Sequence, residues 1–367
     1  MYFLQPLIRP FSIVCLLAVL YSVPLRASSI IDLGSLGGAY VVATDINNKG
    51  EIVGSSTIGG ANSVAHPFVY SGGKMTDLLP GDDRGGSANA INDGGQIAGS
   101  GLSGAVLYTG GKWVDIPTSN GASAFGINDA GDVVGVAANG PFLYSRGQVT
   151  YFAGPTDGIA RAINNRGQIV GFADFGGSSP DHAFLYTAGQ LIDLDTPDPY
   201  GCDCLSSVAT SINNRGEVVG TAVDPVNSGS AIAFLYAKGK MTFIGPTAAA
   251  SDINDSGQIV GSVGVGPTQY CSARECPEAF LYSDGVMTNL NSFLPEGSDW
   301  ELIAANAIND KGQIVGVGYR SEDEGRSQHA FLLDTTPEPS TLLLLGVGFV
   351  GLALTRRTLM RRTKTPQ

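Results

Sequence analysis

Carboxylates interleaved with aromatic rings can hold a calcium ion or the hydroxyl-rich faces of a polysaccharide. Here these residue types gather in irregular segments between regular ones: Asp174, Tyr200, Asp203, Tyr270, Glu275, Trp300 and Asp323. They are the candidate binding residues. Paired carboxylates could also cleave a glycosidic bond, but no spacing singles out a pair. The sequence has no Gly-x-Ser-x-Gly elbow, His-Glu-x-x-His pair, phosphate-binding loop or dinucleotide fingerprint. No catalytic residue is assigned, no cofactor is implied, and calcium is the ion such loops would take. The plainer reading of the same acids is a solvated rim that keeps the protein soluble.

Two further residue types invite chemistry. His66, His182 and His329 occupy one position of a repeat, in units one, four and seven. If seven such units close into a ring, unit four lies across it from the other two, so a shared metal site is not expected, and local hydrogen bonds are. Cys202/Cys204 and Cys271/Cys276 are two local pairs. In an exported protein they would form disulfides that pin loops. A zinc site, the rival reading, needs four converging ligands.

Residues 28–336 hold 14 basic and 32 acidic side chains, a net charge of −18. Such a surface repels nucleic acid. Cations, sugars or basic partners suit it better.

The elements that must position these residues are set by a repeat. Ile308–Gly316 reads Ile-Asn-Asp-Lys-Gly-Gln-Ile-Val-Gly, and six more copies begin at Ile46, Ile91, Ile127, Ile163, Ile212 and Ile253. Each unit holds four short apolar segments: a, ending in Ile-Asn; b, the Ile-Val-Gly; c, typically Phe-Leu-Tyr; and d, typically Met-x-Asp-Leu. All are β-branched or aromatic and bounded by Gly or Asn, which marks strands. The Asn-x-x-Gly link from a to b suits a tight hairpin. Four strands in about 44 residues is the period of a propeller blade.

The last unit stops at strand c, and the chain opens on an isolated strand d, Ile30–Gly34. The expectation is an all-β, seven-bladed propeller of four-stranded blades, closed by the N-terminal strand pairing with the last blade. A β-solenoid is the alternative and would need no borrowed strand. On a propeller, the a–b and c–d turns share one uniform face. The variable b–c and d–a loops, with the candidate residues and both cysteine pairs, share the other. Asp32, Asp77, Asp115 and Asp193 recur in strand d and read as structural.

The repeat, with His182-Ala183-Phe184 and His329-Ala330-Phe331, resembles the HAF family of extracellular repeats. The ends support export. Residues 1–27 read as a signal peptide, with an apolar core from Phe11 to Val23. A retained N-terminal anchor is the alternative there. At the other end Pro337-Glu338-Pro339 precedes an apolar run, Leu342–Leu354, and a basic tail with Arg356 and Arg357. The run is short for a membrane span, and the arginines would hold the tail in the cytoplasm. This resembles a PEP-CTERM sorting signal, which implies an exosortase-type processing enzyme as partner and transient membrane anchoring. The expected organisation is 1–27 signal peptide, 28–336 propeller and 337–367 sorting signal. The expected function is a non-catalytic binding or scaffold module for exopolysaccharide, a surface protein or another envelope component. An enzyme acting on extracellular polysaccharide is the alternative.

Overall fold

The computed structural model describes residues 29–335 apart from 61–63, 83, 102, 120, 153–156, 177–180, 195–205, 225–229, 265–276 and 322–326. Its strands form seven antiparallel four-stranded sheets. Strand β1, Ser29–Asp32, stands apart at the start. Blade 1 is β2–β5: Gly37–Ile46, Ile52–Ile58, Ala65–Ser71 and Lys74–Asp77. Blade 2 is β6–β9: Ser87–Ile91, Ile97–Gly101, Gly104–Thr109 and Lys112–Asp115. Blade 3 is β10–β13: Ser123–Ile127, Val133–Ala137, Gly140–Ser145 and Gln148–Tyr151. Blade 4 is β14–β17: Gly158–Ile163, Ile169–Ala173, His182–Thr187 and Gln190–Asp193. Blade 5 is β18–β21: Ser206–Ile212, Val218–Asp224, Ser230–Ala237 and Lys240–Pro246. Blade 6 is β22–β25: Ala248–Ile253, Ile259–Val263, Glu278–Ser283 and Val286–Asn289. Blade 7 is β26–β28: Trp300–Ile308, Gln313–Arg320 and Gln328–Asp334.

The fourth strand of blade 7 is β1. It pairs with β28 in the register Ser29↔Asp334 to Asp32↔Phe331. The expected closure is therefore present, and it covers an edge that would otherwise offer unpaired backbone groups.

The repeat motif builds each blade's inner half. In all seven, strand a carries a register shift at the residue two before its terminal Ile. The bulged residue (Thr44, Asn89, Phe125, Arg161, Thr210, Ser251 or Asn306) lines a channel on the axis. The same bend presses a carbonyl of strand a onto strand b. A Cβ on Gly171 would run into the Ile159 oxygen, and one on Gly316 into that of Ala304. Close backbone approach, rather than turn conformation, is thus why Ile-Val is followed by Gly. The core lies between blades. Phe68, Phe142, Phe184, Phe234, Phe280 and Phe331 from strand c are fully buried, alongside Ile or Val from strand b.

Candidate binding site

The a–b turns meet at the axis. Each turn opens on an Asn whose Oδ1 accepts backbone N–H groups of its own turn, as Asn164 does from Arg166 and Gln168. Its Nδ2 donates to the backbone oxygen of the corresponding Asn in the next blade. The series runs Asn47, Asn92, Asn128, Asn164, Asn213, Asn254, Asn309 and back to Asn47, at 2.9–3.3 Å. All seven are buried. One residue on, a second ring closes through backbone N–H groups onto side-chain oxygens: Asn48, Asp93, Asp129, Asn165, Asn214, Asp255 and Asp310. Together they line a polar funnel of about 390 Å³ on the turn face.

Below the funnel the channel narrows to about 210 Å³. Asp45 accepts from the backbone N–H of Ile46 and of Ile91 in the next blade. Asp252 accepts from the Ser211 hydroxyl and the Ile308 N–H. Enclosure by the blades, reinforced by the charge of Asp252, pushes the Asp45 carboxyl up to about 7. Burial likewise raises Asp252. Arg161 lies over the Phe172 ring at 5.6 Å, and burial lowers its guanidinium. The channel groups are mostly held by one another across blade seams, so they read as frame.

The loop face carries a different cavity, about 490 Å³, between blades 1 and 2. Leu79, Asp82, Arg84 and Gly85 come from the loop after β5. Ser100, Ser103, Val106, Trp113 and Asp115 come from blade 2. The Trp113 ring is fixed twice, by its Nε1–H donating to the Leu78 oxygen at 3.1 Å and by edge contact with Tyr108 at 5.2 Å. The Ser103 hydroxyl donates to Asp115 at 2.6 Å. Arg84 grips Asp82 with two bonds of 2.8 and 2.7 Å, which holds that carboxyl down at about 2. The wall thus offers a locked indole, aliphatic carbons, two carboxylates, a guanidinium and two hydroxyls. That mixture suits a polyhydroxylated ligand with apolar C–H faces.

Of the seven sequence-derived candidates, two are described. Asp174 is exposed just after β15 and accepts from the Gly176 N–H. Trp300 opens β26. Its ring meets His329 and Phe331 edge-on at 5.9 and 6.2 Å, under the Arg320 guanidinium at 5.8 Å. The two residues sit in blades 4 and 7 and are not brought together. Tyr200, Asp203, Tyr270, Glu275 and Asp323, the four cysteines, and Pro337, Glu338, Pro339, Arg356 and Arg357 lie outside the described residues.

Sequence reasoning treated the three histidines and the strand-d aspartates separately, although the structure joins them. His66 Nδ1 lies 2.9 Å from Asp77, His182 Nδ1 3.1 Å from Asp193, and His329 Nδ1 2.8 Å from Asp32 across the closure. A carboxylate only accepts, so Nδ1 carries the proton. The signal was the shared interval from His66 to Asp77 and from His182 to Asp193. In blade 6 the pair is exchanged, with Asn289 Nδ2 donating to Glu278 at 2.7 Å. The pocket between blades 1 and 2 was missed because its walls are distant in sequence.

Residues 335–357 match the PEP-CTERM protein-sorting motif. The motif marks the chain for export and for sorting by an exosortase, with C-terminal anchoring in the membrane before processing. No helix among the described residues is long and apolar enough to cross a membrane, and the segment that follows Pro337 lies outside them. No curated protein sequence matches the chain. Among solved structures, it is similar to a puromycin-hydrolyzing peptidase from Mycobacterium tuberculosis (12% identity, TM-score 0.55, covering 85% of this chain and 54% of that one). It is also similar to the extracellular domain of a one-component system from B. thetaiotaomicron (12% identity, TM-score 0.51, 83% and 40% covered). The chain thus spans about half or less of these proteins, and the likeness is one of fold. Among the described residues no three His, Cys, Asp or Glu side chains are grouped to hold a metal ion.

Proposed function

We propose that this sorted propeller is a non-catalytic surface module that binds a saccharide of the matrix or envelope in the pocket between blades 1 and 2. The single observation behind this reading is the fixed Trp113 ring set among Asp82, Asp115, Arg84 and the two serines in a cavity of small-ligand size. Residues 1–27 act as a signal peptide in this reading, 28–336 as the HAF-type propeller and 337–367 as the sorting segment. Cys271–Cys276 and Cys202–Cys204 tie loops on the same face. Asp174 and the other loop acids widen the binding surface in this reading.

The test is titration of the protein with the host's exopolysaccharide, followed by tryptophan fluorescence and calorimetry. The expected result is saturable binding that Trp113→Ala weakens by about tenfold, as for loss of roughly 1–2 kcal/mol of aromatic contact, with the melting temperature nearly unchanged. Undiminished binding by the variant would remove the pocket from the argument. New reducing ends or unsaturated products would favour the alternative, an enzyme cleaving extracellular polysaccharide.

A further inference from the structure

Both ends of the propeller leave from one place. Strand c of each blade ends, and strand d begins, at the face of the a–b turns. In blade 7 this puts Asp334 and Ser29 side by side. Thr335 is buried there, and its N–H and hydroxyl both reach the Gly312 oxygen of the a–b turn. The sorting motif begins at that residue.

Only residues 336–341 separate Thr335 from the apolar run that opens at Leu342. Fully extended, the seven steps from Thr335 to Leu342 reach about 23–25 Å. To lay the loop face on a membrane, the chain would first have to run back along β28, whose length is about 23 Å. The tether would be spent in covering that length and could not also clear the loops that stand beyond the strand end. We propose that the turn face lies against the bilayer surface while the chain is anchored, and that the loop face points away from it.

Charge supports the same orientation independently. All six lysines between residues 29 and 335 sit at the turn face: Lys49, Lys74, Lys112, Lys238, Lys240 and Lys311. Arg146, Arg166 and Arg215 join them, and all nine are exposed. The acidic residues of that face match them in number, but many gather at the axis around the funnel. On the loop face the described basic residues are Arg84 and Arg320, against twelve carboxylates that include Asp115, Asp157, Asp174 and Glu296. An anionic headgroup layer repels the second face, whereas the first, its charges balanced, meets no net repulsion and offers its exposed lysines. The orientation also leaves the pocket of blades 1 and 2 open to solvent before release. It rests on the tether and the charges and is independent of what that pocket binds.

The experiment uses the full-length chain in vesicles of phosphatidylethanolamine and phosphatidylglycerol, with flotation to establish anchorage. A membrane-impermeant amine reagent and a carbodiimide label lysines and carboxylates, and mass spectrometry reads each site against the same chain in detergent. The expected result is a several-fold loss of labelling at the six lysines, with Asp115, Asp174 and Glu296 unchanged. Protection should persist at high salt, because the tether imposes it and salt screens only the charges. Protected loop-face carboxylates, equal labelling of both faces, or protection that vanishes in salt would each overturn the proposal. Failure to float would overturn the anchorage instead, which separates the two ideas.

Discussion

The axial ring and the outer seam of the blades use polar side chains in opposite ways. At the axis one residue type, Asn, stands in all seven turns. At the outer seam, between strands c and d, the partners differ: His with Asp in blades 1, 4 and 7, and Glu with Asn in blade 6. The reason is connectivity. Each ring Asn holds its own turn with Oδ1 and the next blade with Nδ2, so a change in one must suit two neighbours. A seam pair lies within a single blade, and any complementary pair serves. Identity is imposed where one side chain must offer both an acceptor and a donor, as the ring Asn does; one residue on, where only an Oδ1 is required, Asn and Asp both serve, and at the outer seam any complementary pair does.

The most severe way to break this contrast is at the closure, where a seam becomes a ring contact. Deleting residues 29–33 bares the edge of β28 and removes the Asp32 carboxylate from His329 Nδ1. The melting temperature, followed by calorimetry, should fall by roughly 10 °C or more, with loss of cooperative unfolding. An unchanged transition would mean that the ring closes without the strand. Next comes Asn164→Ala, which leaves the N–H groups of Arg166 and Gln168 without their partner and takes from the Asn213 oxygen its donor in the neighbouring blade. Denaturant unfolding should show a loss of about 2–4 kcal/mol.

Asp45 sharpens the axial side. Its carboxyl is raised to about 7 in the folded chain, from an ordinary value of 3.8. A raised acid adds stability while protonated, fully below pH ~4, and that stability is lost as the pH climbs through about 7. Asp45→Asn keeps the neutral form. Its stability relative to the natural chain should therefore grow between pH 5 and pH 8, by something on the order of 2 kcal/mol. Parallel pH curves for the two proteins would remove Asp45 as the cause. The smallest effect belongs to the outer seam. His182→Glu should cost about 1 kcal/mol by setting two carboxylates face to face, and adding Asp193→Asn should restore most of it by copying blade 6. The same exchange logic has no counterpart in the ring of buried Asn.

Much of the frame is legible in the sequence because it is periodic. Ile-Asn, Ile-Val-Gly and Phe-Leu-Tyr recur with their bounding Gly and Asn, and the missing last strand d points to the isolated one at Ile30. The loop-face candidates were less legible. Trp300 looked like free aromatic surface, yet its ring is spent on His329, Phe331 and Arg320. Asp115 read as a recurring structural residue of strand d, yet it lines the pocket with Trp113.

The sequence by itself determined strand count, blade period, closure and the sorting tail, since each depends on local propensity or on contacts repeated at a constant interval. Tertiary structure alone decided what meets across a seam: Asp45 beneath Ile91, the Asn ring, the cavity between blades 1 and 2, and both chain ends on one face. Those contacts join residues at distances that no local pattern encodes, and only the closing of seven blades into a ring brings them together.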